Sequence, residues 1–184
     1  MGTPPQPTHR VTVGEHRVAH EGWIGTLLGS CVAACVWCPA TRLGGLNHFL
    51  LPDGAARMPP DGAGRFGVHA MELLVNAMLR RGAPRARLQF KIAGGARLGP
   101  GPTDAGARNV EFVRAYLLRE GFPIVAEDVG GTCGRSVRYE ACTGRLLTRR
   151  LDAGAIRGLV AGEHRAGRDA LRHRAAAGTV ERVR

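Results

Sequence analysis

The feature that most restricts the fold of this chain is a pair of mostly apolar segments, Cys31–Trp37 and Gly44–Leu51, separated by only a few residues. Both are short, and turn-forming residues bound them, with Gly29-Ser30 before the first and Pro52-Asp53-Gly54 after the second, as is typical of strands. Pro39–Arg42 lies between them and is predicted to form a turn. The two segments are therefore predicted to pair as an antiparallel hairpin.

Helix and strand patterns alternate along the rest of the chain. Apolar residues at helical spacing predict one helix over 68–78, ending before Gly82, and another over 110–117, ending before Gly121. Alternating or β-branched segments predict further strands near residues 11–18, 23–28, 88–92, 123–128, 137–141 and 146–147. Two helices among about seven strands predict a mixed α/β or α+β fold, a layered sheet with both helices packed on it.

A length of 184 residues is that of a single domain. Residues 1–9, with three prolines, are predicted to be a disordered lead-in, residues 10–151 the folded domain, and residues 152–184 an Arg/Ala-rich tail without an assigned role. No segment approaches the roughly 18 consecutive apolar residues of a membrane helix. The N-terminus also lacks the apolar run of a signal peptide. We therefore expect a cytoplasmic protein that does not insert into a membrane.

The formal net charge of +11 is a possible sign of nucleic-acid binding. Its distribution argues against a dedicated site, because residues 145–184 carry +6 of it and lie largely in the predicted tail. Lys91 is the sole lysine among 26 basic residues, which indicates a general preference for arginine. We interpret the charge as a solvated arginine-rich surface and expect no specific nucleic-acid partner, although adhesion to acidic surfaces stays open.

Five cysteines in a cytosolic chain are expected to be reduced, and an odd number argues further against a closed disulfide framework. Cys31, Cys35 and Cys38 have the spacing with which radical-SAM enzymes hold an iron–sulfur cluster. On a strand, however, Cys38 would point away from the other two. A thioredoxin-type motif at Cys35–Cys38 is also disfavoured, because Pro39 would end the helix that such a motif begins. No metal or other cofactor is expected.

Cys31 is a candidate nucleophile because the small residues Gly29-Ser30 before it let a substrate carbonyl approach the backbone closely. The alternative is a buried structural cysteine. A four-residue hairpin loop, Pro39–Arg42, would pair Ala33 with His48, and a two-residue loop would pair Cys31 with His48. Either places thiol and imidazole on one face of the sheet, whereas an odd-length loop would separate them. An adjacent imidazole would raise the thiolate fraction at neutral pH.

Several segments together resemble the CheD family of chemoreceptor glutamine deamidases. They are Leu28–Cys35 (LGSCVAAC), Gly44–Pro52 (GGLNHFLLP), Lys91–Ala96 (KIAGGA), Gly106–Asn109 (GARN), Asp128–Gly131 (DVGG), Gly134-Arg135 and Thr143-Gly144. Ala70-Met71 through Leu79 also matches. The resemblance spans roughly residues 10–151 and is specific, because several motifs occur in the order of the family.

The resemblance implies an α/β enzyme that deamidates glutamines on methyl-accepting chemotaxis receptors, with Cys31 as nucleophile and His48 as base. A threonine shortly before the cysteine completes the family's catalytic set. Thr26 lies five residues before Cys31 and Gly25 six before it, so Thr26 is either that threonine or an ordinary β-branched strand residue. Many members bind the phosphatase CheC, which makes CheC a possible partner. The alternative function is a non-catalytic regulator that binds receptors or the phosphatase.

For three further features the sequence allows two interpretations each. The Gly94-Gly95 and Gly130-Gly131 segments either border the site and admit a receptor helix or are ordinary turns. Asn109 is either part of the site or a polar position near a helix start. Arg108 either meets an acidic receptor or faces water.

Overall fold

The computed structural model describes residues 8–51, 62–98 and 104–152, together with Gly158. In chain order its main elements are β1 (Thr8–Arg10), β2 (His16–Ala19), β3 (Trp23–Leu28), β4 (Val32–Cys38), β5 (Leu43–Phe49), α1 (Gly62–Arg80), β6 (Gln89–Gly94), α2 (Ala105–Arg119), β7 (Ile124–Val129), β8 (Arg135–Glu140) and β9 (Arg145–Arg150). A 3₁₀ turn over Arg85–Arg87 precedes β6. None of the helices in these ranges is long and apolar enough to cross a membrane.

The strands form two mixed sheets. The larger has the order β2-β5-β4-β6-β7 and is antiparallel except for β6 and β7, which run parallel and are connected through α2. The smaller has the order β1-β3-β8-β9, with only β1 and β3 parallel. The predicted mixed α+β class is confirmed, with the strands divided between two layered sheets.

The larger sheet is the middle of three layers, because helices cover one of its faces and the smaller sheet covers the other. Val32, Ala34, Val36 and Cys38 of β4 belong to the core shared with the helices. Residues of opposite parity belong to a second core between the two sheets, the inter-sheet layer, which contains Val11, Ile24, Leu28, Cys31, Ala33, Cys35, Leu46, Leu50, Ala93, Val137, Tyr139 and Ala141. Burial on both faces explains why the β4 sequence is apolar without alternation.

The hairpin of β4 and β5 has the register predicted for a four-residue loop. Cys38 pairs with Leu43, and Ala33 pairs with His48. Arg42 at the end of the loop has φ of +52°. The even-length loop therefore places Cys31 and His48 on the same side of the sheet.

The helices agree with their predicted apolar faces. Met71, Leu74, Val75 and Met78 of α1 are buried, as are Val110, Val113 and Leu117 of α2. Asp104 caps α2, since its side chain accepts a hydrogen bond of 2.9 Å from the Ala107 N–H.

At the ends of the predicted domain, only part of the chain is described by the structure, and one boundary differs from the prediction. Thr8 and His9, which the sequence placed in the lead-in, belong to β1. Residues 1–7 lie outside the described residues, as does the predicted tail from residue 153 except Gly158. Residues 52–61 also lie outside the described residues, and α1 begins at Gly62, before the start predicted for the first helix.

Candidate active site

Cys31 lies where the chain crosses from one sheet to the other. β3 of the smaller sheet ends at Leu28, β4 of the larger sheet begins at Val32, and Gly29–Cys31 connects them. Cys31 has no exposed surface and belongs to the inter-sheet layer. The predicted position of Cys31 at a strand boundary is thus confirmed, and the crossing brings it between two sheets.

The crossing segment is held by its backbone carbonyls. The Gly29 carbonyl accepts a hydrogen bond from the Ala96 N–H, and the Cys31 carbonyl accepts one from the Gly95 N–H, each at 2.8 Å. Gly94 has φ of +108°, and a Cβ atom there would lie 2.2 Å from the Cys31 carbonyl oxygen. Glycine is therefore required at this position, both for the backbone conformation and for the close approach.

His48 lies on β5 and is 5% exposed. Its partner in the sheet register is Ala33, and Cys31 is two residues before Ala33 along the chain. Diagonal neighbours of this kind are separated by roughly 7–8 Å between Cα atoms, within reach of long side chains. The structure thus places the imidazole on the same face as Cys31 and diagonally across from it.

Thr26 approaches His48 from the opposite sheet. It lies on β3, is 4% exposed, and its Oγ1 atom is 2.8 Å from Nδ1 of His48. The sequence left Thr26 between a site residue and an ordinary strand residue, and the structure brings it into hydrogen-bond contact with the candidate base. A hydroxyl on Nδ1 fixes the orientation of the ring and leaves Nε2 as the nitrogen to exchange a proton with a substrate or thiol.

The other cysteines do not form a second site with Cys31. Cys35 lies in the inter-sheet layer, whereas Cys38 belongs to the helix-side core, so the three thiols with cluster-like spacing do not converge. Burial raises the pKa of the Cys35 thiol, outweighing the charge of Lys91, which lowers it. All five cysteines are free. Over the described residues no three His, Cys, Asp or Glu side chains are grouped to hold a metal ion.

Asn109 contacts the segment before Cys31 through bonds that the sequence did not reveal. It is completely buried on α2, and its Nδ2 atom donates to the Ser30 carbonyl at 2.8 Å. Its Oδ1 atom accepts from the Leu51 N–H at 2.9 Å. The available signal was helical spacing, because Asn109 lies four residues before the buried Val113 and so shares its inward face.

Arg135 belongs to one of the family segments, and the sequence indicated no role for it. It is 8% exposed, donates to the Gly130 carbonyl at 2.9 Å, and pairs with Asp128 at 3.0 Å. Burial alone would raise the pKa of Asp128, but the hydrogen bond from Thr148 and the charge of Arg135 hold it below its usual range. The alternation of Val137 and Tyr139, extended back by two residues, would have placed Arg135 on the inner face.

The Gly94-Gly95 and Gly130-Gly131 segments, for which the sequence left open a place beside the site or an ordinary turn, contact each other. The Gly130 N–H donates to the Gly94 carbonyl at 2.9 Å, and the Arg97 N–H donates to the Gly131 carbonyl at 2.8 Å. The Gly95 N–H also donates to the Cys31 carbonyl, so the Gly94-Gly95 segment stabilises the Gly29–Cys31 connection between the two sheets. An open cleft of about 700 Å³ lies between these segments and α2, and its lining includes neither Cys31 nor His48.

Comparison with known protein families shows to which family the chain belongs. The CheD family, described as CheD chemotactic sensory transduction, matches residues 50–150. The chain belongs to the CheD family. The matched range begins after Cys31 and His48, so it does not test the roles expected of them.

Members of the CheD family are similar to this chain over most of its length. The probable chemoreceptor glutamine deamidase CheD of Caulobacter sp. (strain K31) is 45% identical over 141 residues, covering 76% of this chain and 75% of the relative. The same-named protein of Acidiphilium cryptum is 46% identical over 147 residues, with 77% of each chain covered. That of Stenotrophomonas maltophilia (strain K279a) is 52% identical over 129 residues, covering 68% of this chain and 64% of the relative.

The crystal structure of the Bacillus licheniformis hypothetical protein YfiH is similar at a TM-score of 0.41 and 16% identity, covering 68% of this chain and 60% of that one. Similarity at this level does not establish a shared fold.

Proposed function

We propose that this chain is a cysteine-dependent protein-glutamine deamidase that converts glutamines of methyl-accepting chemotaxis receptors to glutamate in the cytoplasm. The observation that carries the proposal is the contact between Thr26 and His48 on the face that also holds Cys31. The names of the relatives, probable chemoreceptor glutamine deamidases, supply the substrate class.

The first half of the reaction forms a thioester. His48 accepts the proton of the Cys31 thiol, and the sulfur attacks the side-chain amide carbon of a receptor glutamine. The amide oxygen takes the negative charge, and backbone N–H groups around Ser30 and Cys31 are proposed to stabilise it. The protonated imidazole returns its proton to the nitrogen, the carbon–nitrogen bond breaks, and ammonia leaves.

The second half hydrolyses the thioester. His48 accepts a proton from water, the resulting hydroxide adds to the thioester carbon, and the carbon–sulfur bond breaks. The products are glutamate and the thiol of Cys31, which recovers its proton from the imidazole. The hydrogen bond at Nδ1 serves every step, because a ring whose Nδ1 is engaged with the Thr26 hydroxyl uses Nε2 for each transfer.

The burial of Cys31 restricts access of a substrate to its sulfur. Because Cys31 has no exposed surface, a glutamine side chain reaches the sulfur only after the surrounding chain moves. We therefore expect the free chain to open transiently, far enough to admit small reagents, and receptor binding to favour the open state. The expected partners are the receptors and, by family resemblance, the phosphatase CheC. Residues 10–151 are proposed to be the functional unit.

The test is mass spectrometry of a chemoreceptor cytoplasmic fragment incubated with the full chain. Wild-type protein is expected to add about one mass unit at specific glutamines, the difference between an amide and an acid, and Cys31→Ala to abolish the gain. Cys35→Ala is the matched control, because Cys35 is equally buried on the same face of β4. It is expected to retain the gain. If folded wild-type protein changes no glutamine on any receptor of the same cell, the function is that of a non-catalytic receptor-binding regulator.

A further inference from the structure

Asn109 links the segment of the candidate nucleophile to the segment of the candidate base. Ser30, whose carbonyl it binds, directly precedes Cys31, and Leu51, whose N–H it binds, follows His48 by three residues. Both bonds are made by one completely buried side-chain amide. Neither close analogue reproduces both bonds, since aspartate lacks the donor and glutamine is longer by one methylene.

The bond to Ser30 also fixes a peptide plane. In a trans peptide the C=O and the following N–H point in opposite directions, and no described peptide bond is cis. A Ser30 carbonyl directed at α2 therefore directs the Cys31 N–H away from α2. The flanking carbonyls, of Gly29 and Cys31, are bound by backbone N–H groups. The peptide between them is held by the side chain of Asn109.

Attack by Cys31 on an acyl carbon produces a negative oxygen, and N–H donors stabilise it best when their direction is fixed beforehand. We propose that Asn109 is a positioning residue that holds the Ser30–Cys31 peptide so that the Cys31 N–H points at this oxygen. The inference builds on the proposed function for the physiological substrate, but acyl transfer to Cys31 can be measured without a receptor.

The experiment compares two small reagents on Cys31. In p-nitrophenyl acetate the sulfur bonds to the acetyl carbon, the carbonyl oxygen becomes negative, and p-nitrophenolate leaves. With iodoacetamide the sulfur displaces iodide and no oxyanion forms. Both are applied to the full chain carrying Cys133→Ser and Cys142→Ser, which removes the two partly exposed thiols. The same chain with Cys31→Ala gives the background.

Asn109→Asp keeps an acceptor for the Leu51 N–H but replaces the donor to Ser30. We expect acylation to slow by about 10- to 100-fold, somewhat less than the loss of an oxyanion donor itself. Alkylation is expected to stay within about threefold, because thiol reactivity there depends on the thiolate and not on an oxyanion. On a receptor fragment, kcat is expected to fall by the same factor as acylation while KM stays within about twofold.

Asn47 provides a matched control. It is also a buried asparagine, with Oδ1 accepting from the Ala34 N–H and Nδ2 donating to the Ala70 carbonyl, each at 3.0 Å. These bonds do not involve the Ser30–Cys31 peptide. Asn47→Asp is expected to lower the melting temperature as Asn109→Asp does but to leave the ratio of acylation to alkylation unchanged.

All rates are measured below the melting temperature of every variant, and Asn109→Ala replaces Asn109→Asp if the latter does not fold. The proposal is overturned if both reagents slow equally, if neither slows, or if wild-type Cys31 is not acylated above background. A wild-type chain that deamidates no receptor, while its two reagent rates separate as expected, would remove the deamidase function and leave the positioning role intact.

Discussion

Cys31 and Cys35 lie four residues apart in the inter-sheet layer, and neither has any exposed surface, but their surroundings differ. Around Cys31 the backbone carbonyls are held by hydrogen bonds, and a histidine with a bound hydroxyl lies on the same face. Near Cys35 the Tyr139 hydroxyl has a structural role, since it donates to the Val36 carbonyl at 2.8 Å.

The comparison teaches that burial by itself does not make a thiol reactive. Burial raises the pKa of Cys35, and it also raises the pKa of the Tyr139 hydroxyl, with a contribution from Cys35 itself. Both groups therefore stay neutral at physiological pH. What distinguishes the Cys31 end of the layer is a histidine whose ring is oriented by a hydroxyl, and a backbone whose carbonyls are held by hydrogen bonds.

The largest expected effect comes from removing the base at the Cys31 end. His48→Gln is expected to slow deamidation by about 10³-fold, within the usual contribution of general acid–base catalysis, because no imidazole then takes the thiol proton. Glutamate formation in a receptor fragment, measured by mass spectrometry, checks this. His16→Gln is the control, because it makes the same substitution on the neighbouring strand β2. There His16 is the sheet partner of Asn47, the residue before His48. Retention of more than a tenth of the rate by His48→Gln would place the base elsewhere.

The next effect concerns the orientation of the ring. Thr26→Val removes the hydroxyl 2.8 Å from Nδ1 of His48 at nearly constant shape. We expect kcat to fall by about 10- to 100-fold, or roughly 1.4–2.7 kcal/mol of transition-state stabilisation, with little change in KM. Thr26→Ser restores the hydroxyl and should recover most of the rate. A rate unchanged in Thr26→Val would make Thr26 a strand residue without a part in the reaction.

The sequence predicted the parts of the site that depend on local pattern. The hairpin register follows from loop length and the two-residue period of a strand, so the common face of Cys31 and His48 was predictable. The helices were predictable because Met71, Leu74 and Met78 repeat at helical spacing.

The parts that depend on contacts between distant segments were not predictable in this way. No local pattern shows that β3 and β4 belong to different sheets, and this division is what brings Thr26 over the His48 ring. Asn109 is 79 residues from Ser30 along the chain, and its role follows only once α2 is packed against β4. A buried polar side chain satisfied at such a distance has no signal in a single sequence beyond its place on an apolar face.

A smaller effect is expected at alkaline pH from the Cys35 end. A folded-state pKa that is raised means that the unfolded chain loses the thiol proton first, so stability falls as pH rises above the unfolded value of about 8.5. Between pH 8 and pH 10, Cys35 should account for about 2 kcal/mol of lost unfolding free energy. Urea unfolding under reducing conditions should show this loss in wild type and a shallower decline in Cys35→Ala. Cys133→Ala, at a partly exposed thiol, should follow wild type, and an equally steep decline in Cys35→Ala would contradict the assignment.

The smallest expected effect on the rate comes from removing a hydroxyl near Cys35, which can be compared with removing the Thr26 hydroxyl near Cys31. Tyr139→Phe removes the bond to the Val36 carbonyl and is expected to cost about 1 kcal/mol of unfolding free energy, the usual net value of one hydrogen bond. Deamidation at a temperature well below the melting point should stay within about twofold of wild type, because Tyr139 contacts no candidate site residue through that hydroxyl. Thr26→Val also removes a hydroxyl, and it should show the opposite balance, with a larger effect on the deamidation rate than on the free energy of unfolding. If Tyr139→Phe slowed the reaction as Thr26→Val does, the two ends would be energetically coupled, and the reactivity of Cys31 would depend on the whole layer between the sheets.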